Sequence, residues 1–140
     1  FVAGRNDVIG TLTPGSEGST FGGYPLASVV GVYAIKTLVE ERLTENARIR
    51  GKQLMDHFEN LKNEFPNKIK EVRGKGLLTA FEMHDEEKLD GHHVSTELLK
   101  NGIYAKETHH STVRIAPALT VQDFHIDQMA EGIRTVISKL

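Results

Sequence analysis

The sequence predicts an α+β fold, a small mixed sheet covered by helices, and three observations carry that expectation. Apolar residues recur at helical spacing from about residue 26 to residue 65. The period then drops to two across Leu77, Thr79, Phe81 and Met83. Helical spacing returns at the C-terminus, where Phe124, Ile126, Met129, Ile133, Val136, Ile137 and Leu140 form one stripe. Strands grouped between helices, rather than alternating with them one for one, suit an α+β layer.

Taken in order, FVAGRNDVIG lacks an initiator Met and reads as a strand already under way, so the chain is expected to be a piece of something longer. Pro14 to Ala27, PGSEGSTFGGYPLA, is a loop rich in glycine and hydroxyl residues. In LASVVGVYAIKTLVEERLTEN the Val-Val-Gly-Val centre suits a strand, but the length and the spacing of Leu26, Val29, Val30 and Tyr33 predict a helix. A second helix places Ala47, Gly51, Leu54, Phe58, Leu61 and Phe65 on one face and ends at Pro66. IKEVRGKGLLTAFEM is a strand pair whose Gly74 and Gly76 mark a turn or bulge. DEEKLDGHH is a solvated loop, and VSTELLKNG a short helix closing on a left-handed Gly102. IYAK and TVRIA are two strands joined at His109–His110. Thr120 with Asp123 resembles a capping box opening the last helix.

At 140 residues, the chain suits one domain or one compact piece of a larger protein. Its 39% hydrophobic and 26% charged residues are those of an ordinary globular protein. A net charge of −2 offers no electrostatic reason to bind nucleic acid or an acidic membrane. Cysteine is absent, which excludes disulfides, zinc-thiolate sites and a Cys nucleophile and fits a reducing compartment. Lys36, Glu40 and Glu41 interrupt the densest apolar run, leaving it too short to span a bilayer, and no signal-peptide pattern is visible.

The Gly-rich loop is the first candidate site. Its backbone N–H groups and hydroxyls, next to a helix start at Pro25 or Leu26, make a concave set of donors that a phosphate satisfies. It matches neither GxxxxGK[ST] nor a strand–GxGxxG–helix unit. On chemistry alone a structural glycine turn is the blander and favoured reading, with the anion site second. Arg114 is the other candidate. Alternation puts Thr112, Arg114 and Ala116 on one strand face and Val113 with Ile115 on the other. A guanidinium there suits a carboxylate bidentately, and on the strand alone an exposed face is the simpler reading.

The remaining groups are bland. Adjacent histidines at 92–93 and 109–110 point apart, no cysteine completes a ligand set, and no metal site is expected. Asp85-Glu86-Glu87 reads as solvated loop, and Arg73 with Lys75 as surface charges on a tight turn in preference to an anion site.

PGSEGSTFGGYPLAS resembles the segment of class-III, fold-type I aminotransferases that usually ends GSTFGGNPLA. VRGKGLL, KETHHSTVRIAPALT and the C-terminal helix are similar to the small domain of the ornithine aminotransferase branch, so the resemblance covers nearly the whole chain. It implies that residues 1–25 end a cofactor-binding large domain, that 26–50 form a connecting long helix, and that 51–140 are the C-terminal small α+β domain. Gly18, Ser19 and Thr20 then match the segment that reaches the phosphate of pyridoxal phosphate in the other subunit of a homodimer. Arg114 matches the strand arginine that binds a substrate carboxylate. Tyr24 departs from the family, which usually has Asn there.

The family's Schiff-base lysine, the acid on the pyridine nitrogen and the stacking aromatic all lie upstream of Phe1, so no catalytic residue falls in this chain. The resemblance therefore implies part of an enzyme moving the δ-amino group of ornithine to a 2-oxo acid, inactive alone and not itself retaining the cofactor. Small amino and oxo acids and a second subunit are the implied partners, with no nucleic acid or membrane, in the cytoplasm or, in a eukaryote, the mitochondrial matrix. Acetylornithine and 4-aminobutyrate aminotransferases are the neighbouring alternatives. A non-catalytic α+β module dimerising through the first long helix is the alternative from another class.

Overall fold

The computed structural model describes residues 3–84 and 90–140. Asp85-Glu86-Glu87, read as solvated loop, lie outside the described residues. The chain divides into two compact units, Phe1–Thr37 and Leu38–Leu140.

The first unit opens on α1 (Asn6–Ile9), one helical turn where a strand was expected. Arg5 donates from Nε and Nη2 to the two Asp7 carboxylate oxygens at 2.9 and 2.7 Å, which places a carboxylate in the first turn, where a helix start favours it. The Gly-rich loop follows and leads into α2 (Pro25–Glu40), with Pro25 at the first helical position, where its missing N–H costs nothing.

The helix expected over 26–50 is interrupted. Arg42 adopts a left-handed φ of 53°, and its N–H donates to Val39 O at 3.2 Å, so the helix closes and restarts as α3 (Leu43–Glu64). Leu43, Gly51, Leu54, Phe58 and Leu61 are buried along one face of α3, as their spacing predicts. Phe65 N–H donates to Leu61 O at 2.8 Å ahead of Pro66, which ends the helix.

Strands β1 (Ile69–Lys75) and β2 (Leu78–Met83) form a hairpin around Gly76–Leu77, with Gly76 at φ +57°. The irregularity in β1 falls between Ile69 and Glu71, not at the glycines. Helix α4 (Gly91–Lys100) starts three residues before the expected Val94, because Asp90 accepts the His93 N–H at 2.7 Å and caps it. Gly102, at φ +78°, closes that helix as expected. Strand β3 is confined to Lys106–Thr108, so Ile103 to Ala105 are not strand; β4 is Thr112–Ile115. His109 and His110 make the turn between them with φ of 49° and 66°. Helix α5 (Asp123–Lys139) is capped at Gln122, whose N–H meets His125 Nδ1 at 3.3 Å. Thr120 and Asp123 make no capping box: Asp123 is already inside the helix.

The strand order is β1-β2-β4-β3, and every neighbouring pair is antiparallel. The sheet is thus not mixed. Strand β3 runs in the direction of β2, but β4 lies between them, so no parallel pair forms among the described residues. Helices α3, α4 and α5 contact the sheet or one another and complete an α+β layer. The core between sheet and helices is built on Leu54, Phe58, Val72, Phe81, Val94, Val113, Ile115, Ile126 and Ile137. Phe58 and Phe81 meet edge to face, their centroids 5.4 Å apart. Among the described residues every buried hydrophobic lies at Leu43 or beyond, so the second unit holds the core.

Candidate functional site

The loop of the first unit is built from overlapping turns. Gly22 N–H donates to Ser19 O at 3.0 Å and Tyr24 N–H to Phe21 O at 3.1 Å, while Gly23 takes φ +74°. Tyr24 O then accepts both the Ser28 N–H, at 2.9 Å, and the Ser28 hydroxyl, at 3.1 Å, which fixes the start of α2. The Tyr24 ring is exposed, and the turn's hydrogen bonds form with Tyr24 in place.

An open groove of about 960 Å³ runs beside this turn, lined by Ser19, Gly22, Gly23, Ser28, Gly31 and Ile35 among others. A Cβ on Gly18, Gly23 or Gly31 would meet no atom within 4 Å. Gly18 and Thr20 flank Ser19 in sequence and are exposed. The Ser19 and Thr20 hydroxyls bond to none of the described residues, unlike those of Ser16 and Ser28, which turn back onto the backbone. The first turn of α2 carries no acidic side chain. Free hydroxyls, open glycines and a helix start without an acid form a neutral donor set suited to an anion.

Arg114 belongs to the second unit. It stands in β4 on the sheet face away from the helices and is exposed, whereas Val113 and Ile115 point into the core at 0% and 1% exposure. The expected alternation therefore holds, though Thr112, on the outer side with Arg114, is itself covered. The Arg73 guanidinium reaches Thr112 Oγ1 at 3.2 Å.

The outer face has its own electrostatics. Lys70 Nζ donates to Glu82 Oε1 at 2.7 Å and Arg73 Nη1 to Glu82 Oε2 at 2.9 Å, with Glu71 Oε1 3.3 Å from Arg73. The hydrogen bonds from Lys70 and then Arg73 hold the Glu82 carboxyl below its ordinary value, and Glu82 in turn raises Lys70 and Arg73. Arg73 is thus occupied internally, in line with its reading as a surface charge. Arg114 has no hydrogen bond or ion pair among the described residues. Across the sheet it is in register with Ala80 on one side and Lys106 on the other.

The residue pattern alone does not single out Lys106. Its position follows only from the β3–β4 turn: counting outward from Thr108 opposite Thr112 brings Lys106 opposite Arg114. Two of the histidines lie against carboxylates. His92 Nδ1 lies 2.9 Å from Glu107 Oε2, and His57 Nε2 2.9 Å from Asp127 Oδ1. No group of three or more His, Cys, Asp or Glu among the described residues is placed to hold a metal ion. No helix among them is long and apolar enough to cross a membrane.

Known proteins resemble the chain along nearly its whole length. A family model for aminotransferase class-III matches residues 1–137. The ornithine aminotransferase of Staphylococcus carnosus is 38% identical over 137 residues, covering 98% of this chain and 33% of that protein. The mitochondrial ornithine aminotransferase of Arabidopsis thaliana is 36% identical, covering 97% of this chain and 29% of its own. Among solved structures, an acetylornithine aminotransferase from Elizabethkingia anophelis superposes with a TM-score of 0.84 at 32% identity, over 97% of this chain and 34% of that one.

The fold, with its Gly-rich turn before a helix, is thus that of the C-terminal portion of a fold-type I aminotransferase. The chain belongs to the class-III aminotransferases, and its relatives include ornithine aminotransferases. It spans about a third of the length of the curated relatives it matches.

Proposed function

We propose that this chain forms part of an enzyme that moves the δ-amino group of ornithine to 2-oxoglutarate, giving glutamate semialdehyde and glutamate. Pyridoxal phosphate would supply the electron sink that the amino-group transfer needs. Gly18, Ser19 and Thr20 would hold its phosphate, and the free hydroxyls and open glycines of the loop fit that group. The observation that carries the reading is Arg114: an exposed guanidinium on a sheet face whose glutamates already serve Lys70 and Arg73. It is left to take a carboxylate from outside.

A homodimer is the proposed assembly, with this loop reaching the partner's cofactor. The apolar side chains exposed along α2, among them Leu26, Val30, Tyr33 and Ile35, support burial in a larger assembly. Residues 1–25 are proposed to close the large domain, 26–50 to connect, and 51–140 to form the small domain. The compartment is the cytoplasm or, in a eukaryote, the mitochondrial matrix. The chain alone is proposed to be inactive, because no lysine here stands in the context of the covalent cofactor attachment.

The test is Arg114→Lys in the full-length protein. Lysine keeps the charge but loses the planar fork, so about 1–3 kcal/mol of carboxylate binding should go. Ornithine transfers the amine far from its own carboxylate, so the loss should fall on the single-turnover rate with 2-oxoglutarate and spare that with ornithine. Equal losses in both half-reactions, or a lowered melting temperature alone, would remove Arg114 from the site.

A further inference from the structure

We infer that Lys106 is a second carboxylate-binding residue, acting beside Arg114 on the outer face of the sheet. The argument starts from register. Arg73, Ala80, Arg114 and Lys106 are consecutive partners across β1, β2, β4 and β3, so their side chains leave the same face in one row. Directly opposed residues in an antiparallel pair stand about 5 Å apart at Cβ, and like charges so opposed repel.

Elsewhere on this face the repulsion is answered. Glu82 and Glu71 neutralise Lys70 and Arg73. Arg114 and Lys106 have no carboxylate, hydrogen bond or ion pair among the described residues. Both are exposed. Ala80, the residue between Arg73 and Arg114, carries no charged or polar side chain with which to answer Arg114. Two unanswered cations in register are an unfavourable arrangement on their own and a favourable one with an anion between them. The planar guanidinium takes a carboxylate edge-on, and the ammonium, on its flexible stem, can close on a remaining lone pair.

The ligand class rests on the proposed function: it is the carboxylate of the 2-oxo acid acceptor. Lys106 contributes charge and one hydrogen bond there, so it tunes affinity and leaves the transfer chemistry alone.

The experiment uses the full-length protein with its cofactor and takes glutarate, a five-carbon dicarboxylate that cannot react, as the probe. The dissociation constant is measured for the wild type, Lys106→Gln and Lys106→Arg, alongside turnover of ornithine with 2-oxoglutarate. Lys106→Gln should weaken glutarate about threefold to tenfold, and Lys106→Arg should restore most of the loss. The melting temperature of Lys106→Gln should stay level or rise, since a repulsion is removed. A purely structural lysine predicts the reverse: unchanged glutarate binding with a lowered melting temperature.

Unchanged binding in a protein that does turn over ornithine overturns the role of Lys106 and leaves the proposed function standing. Weakened binding in a protein that turns over no ornithine overturns the proposed function and keeps the carboxylate pair. A wild type that does not bind glutarate overturns the pair.

Discussion

The hydroxyl of Thr20 is free among the described residues, in a loop where Ser16 and Ser28 both satisfy theirs on the backbone. A free hydroxyl beside glycines that leave the space open is what an incoming phosphate needs. Thr20→Ala in the full-length protein should therefore weaken cofactor retention by about 1.5–3 kcal/mol, the range for a hydrogen bond to a charged group. That is roughly a tenfold or larger rise in the cofactor dissociation constant, measured by dialysis and reconstitution. An unchanged constant would take Thr20 out of the proposed phosphate site. At this scale the sequence is informative about residue type and silent about partners. Ser19, Thr20 and Arg114 stand out because hydroxyls beside glycines, and a guanidinium in an apolar strand, are chemically conspicuous. Lys106 does not, since a lysine near a strand end is ordinary until register sets it opposite Arg114. Arg73 shows the converse: an anion-site candidate by type, it spends its guanidinium on Glu82, nine residues away.

Elements were legible where periodicity ran long, as in α2, α3 and α5. Boundaries were not, because single side chains decide them: Asp90 moved the start of α4 to Gly91, and Arg42 broke the helix expected over 26–50. The contact of α3 with the β1–β2 turn was also hidden, although both its glycines were visible. A Cβ on Gly51 would lie 2.2 Å from Gly76 O and 2.3 Å from Gly76 C, so helix and turn meet backbone to backbone. Gly76 itself holds a positive φ, and the turn cannot easily retreat. Gly51→Ala should thus cost about 2–3 kcal/mol despite the better helix propensity of alanine. Gly132, in α5, makes the useful contrast. Its nearest obstacle is Ile103 Cδ1 at 2.6 Å, the end of a flexible side chain that can turn aside. Gly132→Ala should cost clearly less, and thermal melts of the two variants side by side check the order. Equal melting temperatures would show that the turn yields as easily as a side-chain tip.

At the scale of the whole molecule, burial is divided unequally. The first unit, Phe1–Thr37, has none of its described residues buried, and α2 exposes Leu26, Val29, Val30, Val32, Tyr33, Ile35 and Val39. A helix apolar on all sides has no water-facing side of its own and is stable where something covers it. The second unit needs no such cover for its centre: α3, α5 and the sheet enclose Phe58, Phe81, Val113 and Ile133 at 0–1% exposure. The cooperative unfolding of the 140-residue chain should then come from the second unit alone. Residues 38–140, made separately, should melt with the same midpoint as the whole chain to within about 4 °C, the shift that corresponds to 1 kcal/mol or less in a domain of this size. They should also stay monomeric at concentrations where the 140-residue chain self-associates, because the truncation removes most of the exposed apolar helix. Calorimetry and sedimentation of the two proteins at matched concentrations measure both quantities. A midpoint lowered by 10 °C or more would mean that the first unit supports the core after all, and equal self-association would place the sticky surface elsewhere than α2.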